Sequence, residues 1–284
     1  MRRYIDNIYE CQMLRLSDLF HGMRGRDAVS FRDSLVNIGL PAHVCGFTID
    51  EAERLLETGR NSGSAQVRAS SNALNTDEAA SIFTYTIPNG PSETLNDLLR
   101  GDQWDRLRDY VQYMWLLMSG LRKCPRPTST TIYRGIRGDV SWQYIVGGEV
   151  TWKAFSSCSG IVGTLENDAF MGKSGSRTKF DISCTTNRAR SIKHMSFIED
   201  EEEILLPPNT KLRVISKLDC GHGLHVVQLE EEKCEDPILE FSDDIVGQYP
   251  AGDSILPITL LHYISSIHAF SSMNMIPVYY LLFV

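Results

Sequence analysis

The sequence predicts an α+β fold with its helices first and its strands afterwards. Two observations carry this. Trp104, Leu107, Val111, Met114, Met118 and Leu121 recur at helical spacing and predict one long amphipathic helix. Beyond it come short β-rich runs at 130–133, 150–155, 178–184, 203–206, 211–215 and 224–229, with few helical signals among them. Segregated helices and strands suit α+β better than alternating βαβ units. A chain of 284 residues, 42% hydrophobic and 23% charged, has ample material for a real core.

The elements follow in chain order. Thr48-Ile49-Asp50-Glu51 has capping-box spacing, Leu55 and Leu56 supply an apolar face, and Gly59 stands where a helix would stop. Arg60 to Thr76 is rich in Ser, Asn and Gly and reads as a linker. Pro88-Asn89-Gly90-Pro91 reads as a turn before the long helix. We therefore divide the chain into a helical extension and linker (1–72), a compact α+β domain (73–232) and a C-terminal extension (233–284). The last part holds no Asp, Glu, Lys or Arg from Ser254 to Val284. A bilayer span needs about 20 mainly apolar residues. Here Pro257, His262, Ser265, Ser266, His268 and Pro277 interrupt the run, so a helix packed on the domain is the expectation and a membrane contact the open alternative.

Composition excludes some functions. A formal net charge of -8 argues against binding by phosphate neutralisation, so no nucleic-acid partner is expected. Seven cysteines stand singly at 11, 45, 124, 158, 184, 220 and 234, a pattern of reduced thiols. Met1-Arg2-Arg3 has no apolar run behind it, and a cytoplasmic location is expected. Cys220, His222, His225 and Cys234 do not follow a zinc spacing, so no metal is expected. Gly147-Gly148 and Gly172 to Gly175 read as turns, without the strand-glycine-helix context of a phosphate loop.

The chemistry concentrates in three segments. Glu201-Glu202-Glu203-Ile204-Leu205-Leu206-Pro207-Pro208 sets three carboxylates before a short apolar strand that the prolines end. If strand geometry extends back through the acidic run, Glu201 and Glu203 share a face and Glu202 points opposite. Two like charges on one face suit a site built for a cation, although a solvated acidic edge fits the run too. Thr130-Thr131-Ile132-Tyr133-Arg134-Gly135 is a β-rich run closing on arginine and glycine. Phe155-Ser156-Ser157-Cys158-Ser159 is a hydroxyl-rich strand.

Arginine, then Phe-x-Ser-x-Ser, then Glu-x-Glu, in that order, resembles the arginine-serine-glutamate class of mono-ADP-ribosyltransferases, and its arginine-specific branch in particular. Ile82 to Thr86 with Leu95 to Arg100, Asp168-Ala169-Phe170, Thr178 to Ile182, and Ser196-Phe197 agree with that layout. The resemblance covers roughly residues 73 to 232. Cys158 departs from it, standing where threonine or serine is more usual.

The resemblance implies two small packed β-sheets around an NAD cleft, preceded by helices, with NAD as substrate and an arginine-bearing protein as acceptor. It implies that Arg134 clamps the NAD phosphates or ribose and that Ser157 holds Glu203. Glu203 would stabilise the positive charge that develops on the ribose as nicotinamide leaves. Glu201 would receive the acceptor guanidinium and its proton. A one-residue shift of register would exchange the two glutamates. Glu202 takes no role, and Phe170 and Phe180 are expected in the core rather than the site. Simple NAD hydrolysis and a catalytically inactive binding module are the alternatives. The first needs no Glu201, and the second no intact motif.

Overall fold

The computed structural model describes residues 15–20, 23, 30–40, 42–168, 170–186, 188–198 and 202–234. The helix expected in the uncharged tail, and Glu201 itself, lie outside these residues. Among these described residues six α-helices come first: α1 (Phe31–Asn37), α2 (Ala42–Arg60), α3 (Ala65–Ala73), α4 (Thr76–Thr86), α5 (Pro91–Arg100) and α6 (Trp104–Leu121). Eight strands follow: β1 (Thr131–Arg137), β2 (Glu149–Trp152), β3 (Ser156–Ser159), β4 (Arg177–Ser183), β5 (Arg190–Ser191), β6 (Glu203–Leu206), β7 (Thr210–Asp219) and β8 (Leu224–Glu232). Helices before strands is the order the sequence predicts.

The long helix falls where its periodicity places it. Leu107, Met114, Leu117, Met118 and Leu121 of α6 are buried against α4, which contributes Ala79, Ile82 and Phe83 to the same core. The N-terminal region departs from expectation in three ways. Thr48 does not cap a helix. It lies inside α2, where its hydroxyl donates back to the Val44 carbonyl at 2.7 Å, because the helix already runs from Ala42. The capping box is at Asn75 instead. Its side chain accepts from the Glu78 backbone at 2.8 Å, and the Glu78 carboxylate accepts from the Asn75 backbone at 3.1 Å. Finally, the supposed linker holds α3, begun by Ser64, whose hydroxyl accepts from the Val67 backbone at 3.4 Å. Helix α2 does end here, at Arg60, and Gly59 serves packing as well. A Cβ there would stand 2.0 Å from Ser71 Oγ on α3.

Glu78 also carries an ion pair across the bundle. Lys123, just past α6, reaches it at 2.6 Å, and the two side chains are only 6% and 19% exposed. Truncating one member of such a pair strands the other charge in poorly hydrated surroundings. Glu78→Ala is therefore expected to destabilise the protein by about 3 kcal/mol, the pair and the cap being lost together. Urea unfolding monitored by circular dichroism checks this. A midpoint within error of the parent's would contradict it.

The strands join in the order β2-β7-β8-β4-β1-β3-β6-β5, with only β4 and β8 parallel among these neighbours. The run predicted at 150–155 is shorter, β2 ending at Trp152 and pairing with β7, while the hydroxyl-rich strand expected at 155–159 is β3, which pairs with β6. Between β1 and β3 a single register pair, Tyr133 with Ser159, closes the ladder. That seam separates a five-stranded part (β2-β7-β8-β4-β1) from a three-stranded part (β3-β6-β5). The two parts pack face to face: Cys158, Ile204 and Leu206 from the smaller meet Ile132, Phe180 and Val227 from the larger in one core. The two small sheets that the resemblance implies are here two parts of one eight-stranded sheet, joined at that seam. Leu205, alternating with its neighbours, turns to the other side and enters the helical core with Phe155 and Met195.

Among the described residues no helix is long and apolar enough to cross a membrane, and no group of His, Cys, Asp and Glu is arranged to hold a metal ion. Cys45, Cys124, Cys158, Cys184, Cys220 and Cys234 are free thiols.

Candidate active site

The acidic segment enters the sheet at Glu203, and β6 ends at Leu206, before Pro207 and Pro208. Ser157 lies opposite Leu205, and Ser159 opposite Glu203. Residues directly opposite share a face, and so do residues two apart on one strand, so Ser157 and Glu203 are diagonal neighbours on one face. The contact follows: Ser157 Oγ donates to Glu203 Oε1 at 3.0 Å. The other oxygen is held too. Ser196 Oγ donates to Glu203 Oε2 at 3.0 Å.

Glu203 is half-buried at the cleft. Loss of hydration pushes its pKa above the ordinary glutamate range, while the Ser196 and Ser157 hydrogen bonds pull it back. A carboxylate retained at a desolvated point, with both oxygens oriented, is an arrangement suited to opposing positive charge.

Arg134 approaches from the other side of the seam. It shares its face of β1 with Ile132 and Ile136, pairs with Phe180 on β4, and is half-buried. Its Nη1 donates to the Ser157 carbonyl at 2.7 Å, and its guanidinium carbon lies 5.8 Å from the Trp152 ring centre. Strand pairing and ring packing therefore place a fixed cation beside the serine that holds Glu203. Arg134, Ser157 and Glu203, far apart in sequence, all line one cleft.

The remaining candidates divide. Glu201 lies outside the described residues, so the structure gives it no position. Glu202 also borders the cleft, but its carboxylate is paired with Lys193 at 2.5 Å on the exposed side. Phe180 is fully buried between the sheets, as expected, with Tyr144 and Trp152 around it. Phe170 instead lines the cleft, with Thr164 and Leu165 of the short 3-10 helix Val162–Glu166. From the sequence Phe170 is expected in the core, and its matching segment gives no distinction from Phe180, which stands in one as well. Cys158 borders the cleft as well, but its side chain is buried in the inter-sheet core, where burial raises its thiol to about 12. The departure from the usual residue thus puts no thiolate into the cleft. Ser196 belongs to a matching segment of the sequence, which by itself assigns it no contact.

Comparison with known proteins bears on the family and the fold. The family model "NAD:arginine ADP-ribosyltransferase" matches residues 49–235. The chain is 27% identical over 187 residues to the NAD(+)–protein-arginine ADP-ribosyltransferase Tre1 of Serratia proteamaculans, a match covering 64% of this chain and 38% of Tre1. The chain thus spans well under half of that relative's length. In fold it is similar to the type III effector XopAI of Xanthomonas axonopodis pv. citri, with a TM-score of 0.53 at 15% identity, over 72% of this chain and 86% of that one. It is also similar to the ADP-ribosyltransferase HopU1 of Pseudomonas syringae pv. Tomato, with a TM-score of 0.50 at 20% identity, over 64% of this chain and 87% of that one. The family match begins within α2 and takes in α3. With the family model spanning all the strands and the cleft between them, the chain belongs to the NAD:arginine ADP-ribosyltransferase family.

Proposed function

We propose that the chain transfers ADP-ribose from NAD to arginine side chains of protein acceptors, releasing nicotinamide, and that it hydrolyses NAD slowly where no acceptor is present. One observation carries this reading above the others: the half-buried Glu203, with a serine hydroxyl on each oxygen, in the same cleft as Arg134. The residues suit the substrate. A permanently charged guanidinium complements a pyrophosphate, and an oriented carboxylate complements a ribose and the charge that forms on it.

In the proposed reaction the bond between ribose C1′ and the nicotinamide nitrogen breaks, and the bonding pair leaves with nicotinamide. Positive charge spreads over C1′ and the ring oxygen, opposed by Glu203. A guanidinium nitrogen of the acceptor then bonds to C1′, and the proton it sheds passes to Glu201. Arg134 holds the dinucleotide, and Ser157 holds Glu203. These roles rest on the sequence motif together with the placement of Arg134, Ser157 and Glu203. For Glu201 they rest on the motif alone. The acidic net charge of -8 favours encounter with arginine-rich acceptors.

The test is incubation with NAD and an arginine-rich acceptor protein, followed by mass spectrometry of the acceptor's peptides. ADP-ribose on arginine supports the proposal. Nicotinamide release with no modified arginine would replace it with hydrolysis.

The pH profile is a second check. Glu203 works as an anion, and burial raises its pKa, so it takes up a proton at a higher pH than an exposed glutamate does. Activity is therefore expected to fall as pH drops through a value above the ordinary glutamate range. The linked stability effect has the opposite sense. Between the unfolded and the raised folded pKa the folded state holds the extra proton, so Glu203's contribution to stability is lost as pH rises through that window. The acid limb of kcat/KM for nicotinamide release reads the first effect. A limb at or below the exposed-glutamate range would contradict it.

A further inference from the structure

We propose that Ser196 is a positioning residue for Glu203, fixing its second carboxylate oxygen, and that helix α4 holds Ser196 in place. The proposal rests on the reading of Glu203 given above. Ser196 is 1% exposed, so its hydroxyl has protein partners in place of water. Those partners fix its direction. The Ile198 backbone N–H donates to Ser196 Oγ at 3.2 Å, which uses the acceptor side and leaves the proton for Glu203 Oε2 at 3.0 Å.

Ser157 alone would leave the carboxylate able to turn about its Cγ–Cδ bond, since one hydrogen bond anchors one oxygen. With Ser157 on Oε1 from β3 and Ser196 on Oε2 from the segment before β6, the carboxylate plane is set from two sides. Charge-assisted bonds of this kind also favour the anion where burial opposes it.

The support for Ser196 comes from α4. The next residue, Phe197, donates its backbone N–H to Thr86 Oγ1 at 2.8 Å, and that hydroxyl in turn donates to the Phe83 carbonyl at 2.8 Å. The Phe83 and Phe197 rings lie 5.9 Å apart. A polar contact and an aromatic one thus dock the Ser196 segment on the end of a helix in the central core.

Other titratable groups reach Glu203 from each neighbouring element. Tyr85 of α4 and Cys158 of β3 both interact electrostatically with it and with Arg134 of β1. Burial pushes the Tyr85 phenol up and the Cys158 thiol to about 12, so neither ionises in the working range. Lys193 and Glu202, on the same segment, are exposed and paired with each other.

Ser196→Ala is the decisive variant, with nicotinamide release measured across pH beside the parent. The rate is expected to fall about ten- to a hundredfold, the effect of one hydrogen bond to a charged group. The acid limb should move to higher pH, and raising the pH should restore part of the rate. An unchanged rate and limb overturn the proposal. So does a rate loss with an unmoved limb, which is what a merely structural serine would give. Direct titration of the Glu203 carboxyl carbon by 13C NMR, in folded parent and folded variant, needs no turnover. There the variant's titration should shift upward, and coincident curves overturn the proposal. A parent that turns over no NAD overturns the enzymatic reading instead, and the titration still decides the role of Ser196.

Discussion

Glu203→Gln is expected to abolish both arginine modification and NAD hydrolysis, with a loss of about a hundredfold or more in rate. A hundredfold is about 2.7 kcal/mol of barrier. It is asked of a single charge at a half-buried point where reduced hydration strengthens electrostatic contacts. The amide keeps the shape of the carboxylate and can still accept from one of its two serines, so the circular dichroism spectrum should stay with the parent. What disappears is the negative charge that the proposed reaction sets against the ribose as nicotinamide departs. Nicotinamide release near the parent rate would exclude Glu203 from this role, whatever the geometry around it.

Glu201→Gln is expected to separate the two activities. The proposal gives Glu201 the acceptor and Glu203 the ribose, so transfer to arginine should collapse while hydrolysis persists in part. A guanidinium that meets an amide loses both its charged partner and a route for its proton. Water at C1′ needs neither to the same degree. The measurement is nicotinamide release beside arginine modification, in parent and variant. A common fall of both would mean that Glu201 acts on NAD or supports Glu203. No fall in either would return the acidic run to the status of a solvated edge.

What could be read from the sequence was set by local rules. Ser157 and Glu203 meet because strand alternation and one register dictate it, and the Pro207-Pro208 stop fixed where β6 ends. Tyr133-Arg134-Gly135 lies within β1, the strand its β-rich composition predicted. Long-range or compositional features were harder. The Ser- and Asn-rich stretch before residue 76 forms α3 because Ser64 caps it and Gly59 lets α2 approach closely, a tertiary fit that composition does not show. β5 is two residues long and depends on pairing with β6. Phe170 and Phe180 looked alike in sequence, yet one lines the cleft and the other fills the core. Ser196 stands seven residues before Glu203 in a segment without periodicity, so nothing local announced their contact.

Because a single register pair, Tyr133 with Ser159, closes the ladder between the two parts of the sheet, Arg134 and Glu203 belong to separately braced walls. The span between cation and carboxylate is thus governed less by hydrogen-bond ladders than by the side chains that wedge the walls apart, Phe180, Ile204 and Leu206 among them. The cleft behaves as a caliper whose jaws are set by apolar volume. Shaving a methyl group from that wedge would change how well a dinucleotide is gripped without touching any residue it meets.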